Sequence, residues 1–146
     1  MSASGADDDV PLMTQGGHLA IGVDTVEIAR VAAVVAAYGE RFLTRVFTAH
    51  ERAQTGERHR ALAARYAAKE AAAKALGTGI GPVGWRNIEV RSDPSGKPYL
   101  FLWAAAAARA RAIGCTEWHV SLTHTRDLAT AVVVGYRAPD ASSGDA

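Results

Sequence analysis

RYAAKEAAAKALGTGIG, Arg65 to Gly81, reads as a helix of small side chains that carries one acid and two lysines before it dissolves into glycines. At about 100° per residue, Ala64, Ala67, Ala68, Ala71 and Ala75 share one sector, while Arg58, Lys69 and Leu76 gather around Arg65. Glu70 and Lys74 sit together at the border of the alanine sector. A smooth alanine face lets a neighbouring strand approach closely, so whatever covers it comes near Glu70. Two readings stand for Glu70 and Lys74. They are an i,i+4 surface pair worth ~0.2–0.5 kcal/mol, or they face the element packed on the alanines. The helix is expected from about Arg58 to Leu76, with Gly77, Gly79, Gly81 and Pro82 stopping it.

On the N-terminal side, HLAIGV (His18 to Val23) is a short apolar run expected as a buried strand that ends at Asp24. Asp24 is then either the N-cap of a helix over TVEIARVAAVVAAYG, which Gly39 terminates, or a carboxylate at a strand edge. Arg41 to Phe47 is a mixed basic and aromatic segment, and Thr48-Ala-His-Glu51 matches a capping box opening a short helix to about Gly56. On the C-terminal side the period changes to two. Ile88 and Val90 alternate with Glu89 and Arg91, Asp93-Pro-Ser-Gly-Lys-Pro98 supplies turn chemistry, and Tyr99 to Trp103 resumes an apolar run, which together predict a hairpin. Ala104 to Ile113 returns to helix, Trp118, Val120 and Leu122 alternate as a further strand, and Leu128 to Tyr136 is a last one. The order predicts an α+β fold, a single small domain whose largely antiparallel sheet packs against helices.

The 146 residues, 49% hydrophobic and 21% charged, suit one compact domain, and no apolar run approaches the ~20 residues a membrane helix needs. The first seventeen residues lack a cationic start before an apolar stretch and do not read as a secretory signal. Residues 1–17 and 138–146 are expected to be disordered ends around a domain at 18–137. Cys115 is the single cysteine, which excludes an internal disulfide and fits a cytoplasmic location. Five of the 15 acidic residues lie in those ends and all 16 Lys and Arg lie between them, leaving net +6 over residues 18–137. A basic body with acidic ends points to an anionic partner: nucleic acid, a phosphorylated small molecule or an acidic protein.

The glycines follow the helix instead of preceding it, and a helix C-terminus repels anions. Phosphate bound near GTGIG therefore needs neutralisation by side chains or a cation. Lys74 lies one turn from that end, and a metal held by Glu70 and a second carboxylate, for which Asp24 is the candidate, would supply the rest. Two carboxylates, diphosphate oxygens and water make the usual octahedron of Mg²⁺, and the chemistry this permits is phosphoryl-type transfer.

GVDTVEIARV, FLTRVFTAHE, RYAAKEAAAKALGTGIG, IEVRSDPSGKPYL and VSLTHTRDLATAVVV, in this order over about residues 18–137, resemble the holo-[acyl-carrier-protein] synthases, the short type of 4′-phosphopantetheinyl transferase. The resemblance implies transfer of 4′-phosphopantetheine from coenzyme A to a serine of an acyl carrier protein, with release of adenosine 3′,5′-bisphosphate. It implies Asp24 and Glu70 as Mg²⁺ ligands and Lys74 as a phosphate contact, with either Glu70 or a metal-bound water taking the serine proton. It also implies that Gly77, Thr78 and Gly79 line the nucleotide site, that Lys97 and Pro98 lie against the adenine, and that Ser121, His124 and Thr125 close on the 3′-phosphate. Arg30, Arg41 and Arg45, with Phe42 and Tyr66 as apolar anchors, suit an acidic carrier-protein helix. The family implies a homotrimer with sites between subunits. Fatty-acid, polyketide and peptide-assembly carrier proteins all fit as acceptors.

Two departures stand out. The acidic N-terminal extension is absent from minimal family members, and Ala73 occupies a position that is serine in some relatives. The rival readings are a coenzyme A or nucleotide-binding module without transfer, a hydrolase triad from Ser121, His124 and Asp127, and a nucleic-acid binder. The triad lacks a nucleophile elbow, and the last lacks an interleaved basic and aromatic platform.

Overall fold

The computed structural model describes residues 19–139. The elements are β1 (Leu19–Glu27), α1 (Ile28–Tyr38), α2 (Glu40–Val46), α3 (Ala49–Thr55), α4 (His59–Leu76), the single turn α5 (Ile80–Val83), a 3₁₀ turn Trp85–Asn87, β2 (Ile88–Ser92), β3 (Pro98–Leu102), α6 (Ala104–Ala112), β4 (Glu117–His124) and β5 (Leu128–Tyr136). The readings of residues 1–17 and of most of 138–146 lie outside the described residues.

The alanine helix α4 is central. Ala67, Ala68, Ala71, Ala72 and Ala73 are wholly buried, because β1 and β5 lie across the alanine sector while α3 and β2 cover the opposite side. At Gly22 β1 approaches so closely that an added Cβ would sit 1.9 Å from the Ala71 carbonyl oxygen. Any side chain there would separate strand from helix. The alanine run therefore does what its spacing predicted.

The fold class follows the prediction, with the strands divided into two sheets. β1, β5 and β4 form an antiparallel sheet in that order, and β2 and β3 form the separate hairpin. Between β3 and β4 lies a groove lined by Leu100, Phe101, Ala107, Cys115 and Trp118, so the two sheet edges touch without pairing. Trp118 itself lies flat over Gly135, where an added Cβ would meet its ring at 2.7 Å.

The N-cap reading of Asp24 is corrected. β1 continues past Asp24 to Glu27 because each residue stays paired with β5, Asp24 opposite Ala131 and Glu27 opposite Leu128. The backbone of Asp24 is committed to the ladder, α1 begins at Ile28, and no side chain caps it. The capping box at Thr48 and Glu51 is present as predicted, whereas the mixed segment after Gly39 is a helix, α2.

On the hairpin, Arg91 faces Tyr99 across the strands and its guanidinium lies 4.8 Å from the Phe101 ring centroid and 5.9 Å from that of Trp103. Lys97 lies over Tyr99. Cross-strand pairing thus interleaves bases and aromatics that looked separate along the chain, although Arg91 is already paired to Glu89. Burial pushes the Glu89 carboxyl up, but hydrogen bonds from Thr48, Trp103 and Arg91 outweigh it and hold the group below its ordinary range. No helix among the described residues is long and apolar enough to cross a membrane.

Two outcomes follow from these contacts. Gly22→Ala is expected to cost about 3 kcal/mol, the upper end of overpacking, read as a lowered urea midpoint; a wild-type midpoint would show the strand–helix contact to be soft. For Glu89 the folded pKa is depressed, so its contribution is full above the ordinary glutamate range and is lost as pH falls through the depressed value. The gap in urea midpoint between wild type and Glu89→Gln is therefore expected to be widest near neutrality and to close on acidification.

Candidate functional site

Asp24 projects from the helix-facing side of β1, where its side chain remains 18% exposed. Glu70 and Lys74 lie one turn apart on α4, on the border next to β1. Lys74 Nζ donates to Asp24 Oδ1 and to the Val23 carbonyl, each at 3.1 Å. The lysine therefore ties helix to strand, and the i,i+4 surface pair with Glu70 gives way to this longer-range contact.

Burial first, and then the Asp24 charge, push the Glu70 carboxyl above its ordinary value, with Lys74 opposing. The two acids share the wall of a cleft of about 370 Å³ that Arg30, Val34, Phe42 and Tyr66 also line. Burial, followed by Glu70, also pushes up the Tyr66 hydroxyl, with Arg30 pulling the other way. Two carboxylates in one cleft wall, with Lys74 bonded to Asp24, repel each other and offer an arrangement that a cation relieves. Among the described residues no cluster of three or more His, Cys, Asp or Glu could hold a metal by itself. A pair of carboxylates that leaves the remaining positions to water and phosphate fits Mg²⁺ rather than a closed structural metal site.

The cleft opens onto a second one of similar size, lined by Val34, Tyr38, Arg41, Phe42 and Arg45, so Val34 and Phe42 belong to both. The structure thus gathers Arg30, Arg41, Phe42, Arg45 and Tyr66 beside the carboxylates. Phe42, Tyr66 and Trp85 form a tilted stack, with ring centroids 6.3 Å and 4.8 Å apart.

The remaining expected residues do not line this cleft. Gly77 adopts a left-handed conformation as the C-cap of α4, and Thr78 donates from its backbone to Ala73 O and from its hydroxyl to Gly79 O. Lys97 and Pro98 belong to the hairpin turn and the start of β3. Ser121 lies mid-strand in β4 opposite Val132, and Thr125 accepts the N–H groups of Asp127 and Leu128 in the β4–β5 turn. Ser121 and His124, three apart in a strand, project to opposite faces, which removes the geometry of a hydrolase triad.

One basic residue was not singled out in the sequence. Arg109 Nε donates to the Leu76 carbonyl at 2.9 Å, and its guanidinium lies 3.5 Å from the space beside Gly77. It places positive charge at the helix end where the dipole is unfavourable for anions. Its only sequence signal is a position in the last turn of α6.

The model of the 4′-phosphopantetheinyl transferase superfamily matches residues 20–133, which contain every element described from β1 into β5. The chain belongs to this superfamily. Among the superfamily's members, a holo-[acyl-carrier-protein] synthase of Herpetosiphon aurantiacus is 48% identical over 124 residues, covering 80% of this chain and 98% of the relative. The crystal structure of the holo-[acyl-carrier-protein] synthase of Neisseria meningitidis aligns with a TM-score of 0.74 at 36% identity, over 81% of this chain and 98% of that one. That of Helicobacter pylori, solved in complex with coenzyme A, aligns with a TM-score of 0.73 at 29% identity, over 79% and 98%.

Proposed function

We propose that this chain is a holo-[acyl-carrier-protein] synthase that moves 4′-phosphopantetheine from coenzyme A to a serine hydroxyl of an acyl carrier protein and releases adenosine 3′,5′-bisphosphate. The observation that carries the reading is the meeting of Asp24 and Glu70, from a strand and a helix, in one cleft, with Lys74 bonded to Asp24. A coenzyme A-binding module has no need to keep all three groups together.

Asp24 and Glu70 would hold Mg²⁺, which when bound neutralises charge on the diphosphate and on the departing bisphosphate. Lys74 supplies a fixed positive charge beside both acids, in reach of phosphate oxygens entering the cleft. Glu70 or a water beside it would accept the serine proton as the serine oxygen bonds to phosphorus and the phosphoanhydride bond breaks. Arg109 adds charge behind Gly77, Thr78 and Gly79.

The acceptor side is the pair of joined clefts. Arg30, Arg41 and Arg45 surround Phe42 and Tyr66, a basic rim around apolar anchors that suits an acidic helix bearing the serine.

The reading includes assembly and location. Leu19, Ile21 and Val23 are 68%, 66% and 54% exposed on the outer face of β1, and Val132 continues that face on β5. An apolar sheet face of this kind fits a second copy of the chain. A homotrimer would also bring Lys97, Pro98, Ser121, His124 and Thr125 of one subunit toward the carboxylates of its neighbour. A cytoplasmic location accords with the single cysteine.

Intact-mass measurement of an acyl carrier protein incubated with the chain, coenzyme A and Mg²⁺ tests the reading. A gain of one phosphopantetheine is expected, and unchanged mass across fatty-acid, polyketide and peptide-assembly carriers would leave the binding module. Glu70→Gln is expected to lower turnover at least ~100-fold with an unchanged circular dichroism spectrum; near-normal turnover would remove Glu70 from the chemistry. Arg41→Glu with Arg45→Glu is expected to raise KM for the carrier protein about tenfold or more while kcat holds. An unchanged KM at low salt would place docking elsewhere.

A further inference from the structure

The lysine that precedes Glu70 has a separate task. Lys69 is wholly buried, and its ammonium donates to Glu51 Oε1 at 2.7 Å, to the Trp85 carbonyl at 3.0 Å and to the Ile88 carbonyl at 2.5 Å, which uses all three donors. Glu51 is equally buried, and besides the lysine it accepts the Val90 and Thr48 N–H groups, each at 2.9 Å. Four segments therefore converge on one ion pair: α3, α4, the 3₁₀ turn and β2.

We infer that Lys69 is a positioning residue, which through Glu51 sets the rotation and height of α4 so that Glu70 meets Asp24. This rests on the reading of Glu70 as a cation ligand. With no exposed surface and every donor occupied, Lys69 contacts neither phosphate nor carrier protein. An apolar pair of similar volume would fill the same core about as well, so what the ions add is directional registry. Neighbouring helix residues lie about 100° apart, and a side-chain tip sits about 5–6 Å from the helix axis, so a 20° rotation of α4 moves the Glu70 carboxylate by about 2 Å. Mg²⁺ tolerates no such error, since its oxygen bonds are held near ~2.0–2.1 Å in a strict octahedron. On the far side of α4, the Gly22–Ala71 contact allows close approach but is made by backbone and alanine alone, which resist compression and not rotation. The polar bolt at Lys69 supplies what that contact lacks.

Three variants test the assignment: K69M, E51Q and the double variant E51Q/K69M. Each is checked by circular dichroism and thermal unfolding, titrated with Mn²⁺ by electron paramagnetic resonance in the presence of coenzyme A, and assayed at saturating coenzyme A and carrier protein. The double variant, which leaves no lone buried charge, is expected to melt above K69M. Both are nevertheless expected to bind Mn²⁺ at least tenfold more weakly than the wild type and to turn over at least tenfold more slowly. A folded double variant with wild-type Mn²⁺ affinity overturns the assignment, whatever its turnover. If K69M does not fold, E51Q decides the matter by the same titration, because it keeps the side-chain shape and an acceptor for Val90. A wild-type protein that transfers nothing counts against the functional reading, and the Mn²⁺ titration still judges Lys69 by itself.

Discussion

The contact between Gly22 on β1 and the backbone of α4 at Ala71 governs the site. It brings strand and helix together until a single methyl group would collide with a carbonyl oxygen. Only at that separation do Asp24, two residues along the strand, and Glu70, one residue along the helix, line one cleft. The alanines of α4 serve the same end, since each larger side chain on that sector would push the strand away. Core volume is sacrificed for closeness, and larger residues elsewhere, among them Phe47, Leu62, Leu76, Ile88 and Val90, fill the interior.

Closeness has an electrostatic cost. Burial and the neighbouring Asp24 charge raise the proton affinity of Glu70, and Lys74, bonded to Asp24, offsets part of the repulsion. The balance is left incomplete, as the proposed cation and diphosphate site would require. The buried Lys69–Glu51 pair on the opposite side of α4 is the contrasting case, with every donor and acceptor satisfied inside the protein. One helix thus carries a closed, wholly buried ion pair and a second one, Lys74 with Asp24, that is partly exposed.

The carboxylate cleft and the second basic cleft share Val34 and Phe42, so the two are parts of one groove between α1, α2 and α4. Residues such as Lys97 and His124 stand outside it because the hairpin is a separate sheet and β4 is separated from β1 by β5. In the proposed homotrimer the exposed outer face of β1 would meet another subunit.

Much was legible in the sequence because it was local. The period of the alanines, the glycine stop after Leu76, the capping box at Thr48 and Glu51, and the alternation at Ile88 and Trp118 each depend on neighbours a few residues away, and each has its predicted place. Asp24, Glu70 and Lys74 could be nominated from residue type and motif. What tertiary structure decided was every partner far along the chain. Pairing with β5 carries β1 three residues beyond Asp24 and cancels its role as a cap. Lys74 reaches across to Asp24 and not down its own helix, Arg109 arrives at the end of α4 from α6, and Lys69, which periodicity placed only in the sector around Arg65, is buried against Glu51. Periodicity tells which residues share a face, but the partner of that face is set by packing among distant elements, and a charge is assigned to solvent or to the core only once that packing exists.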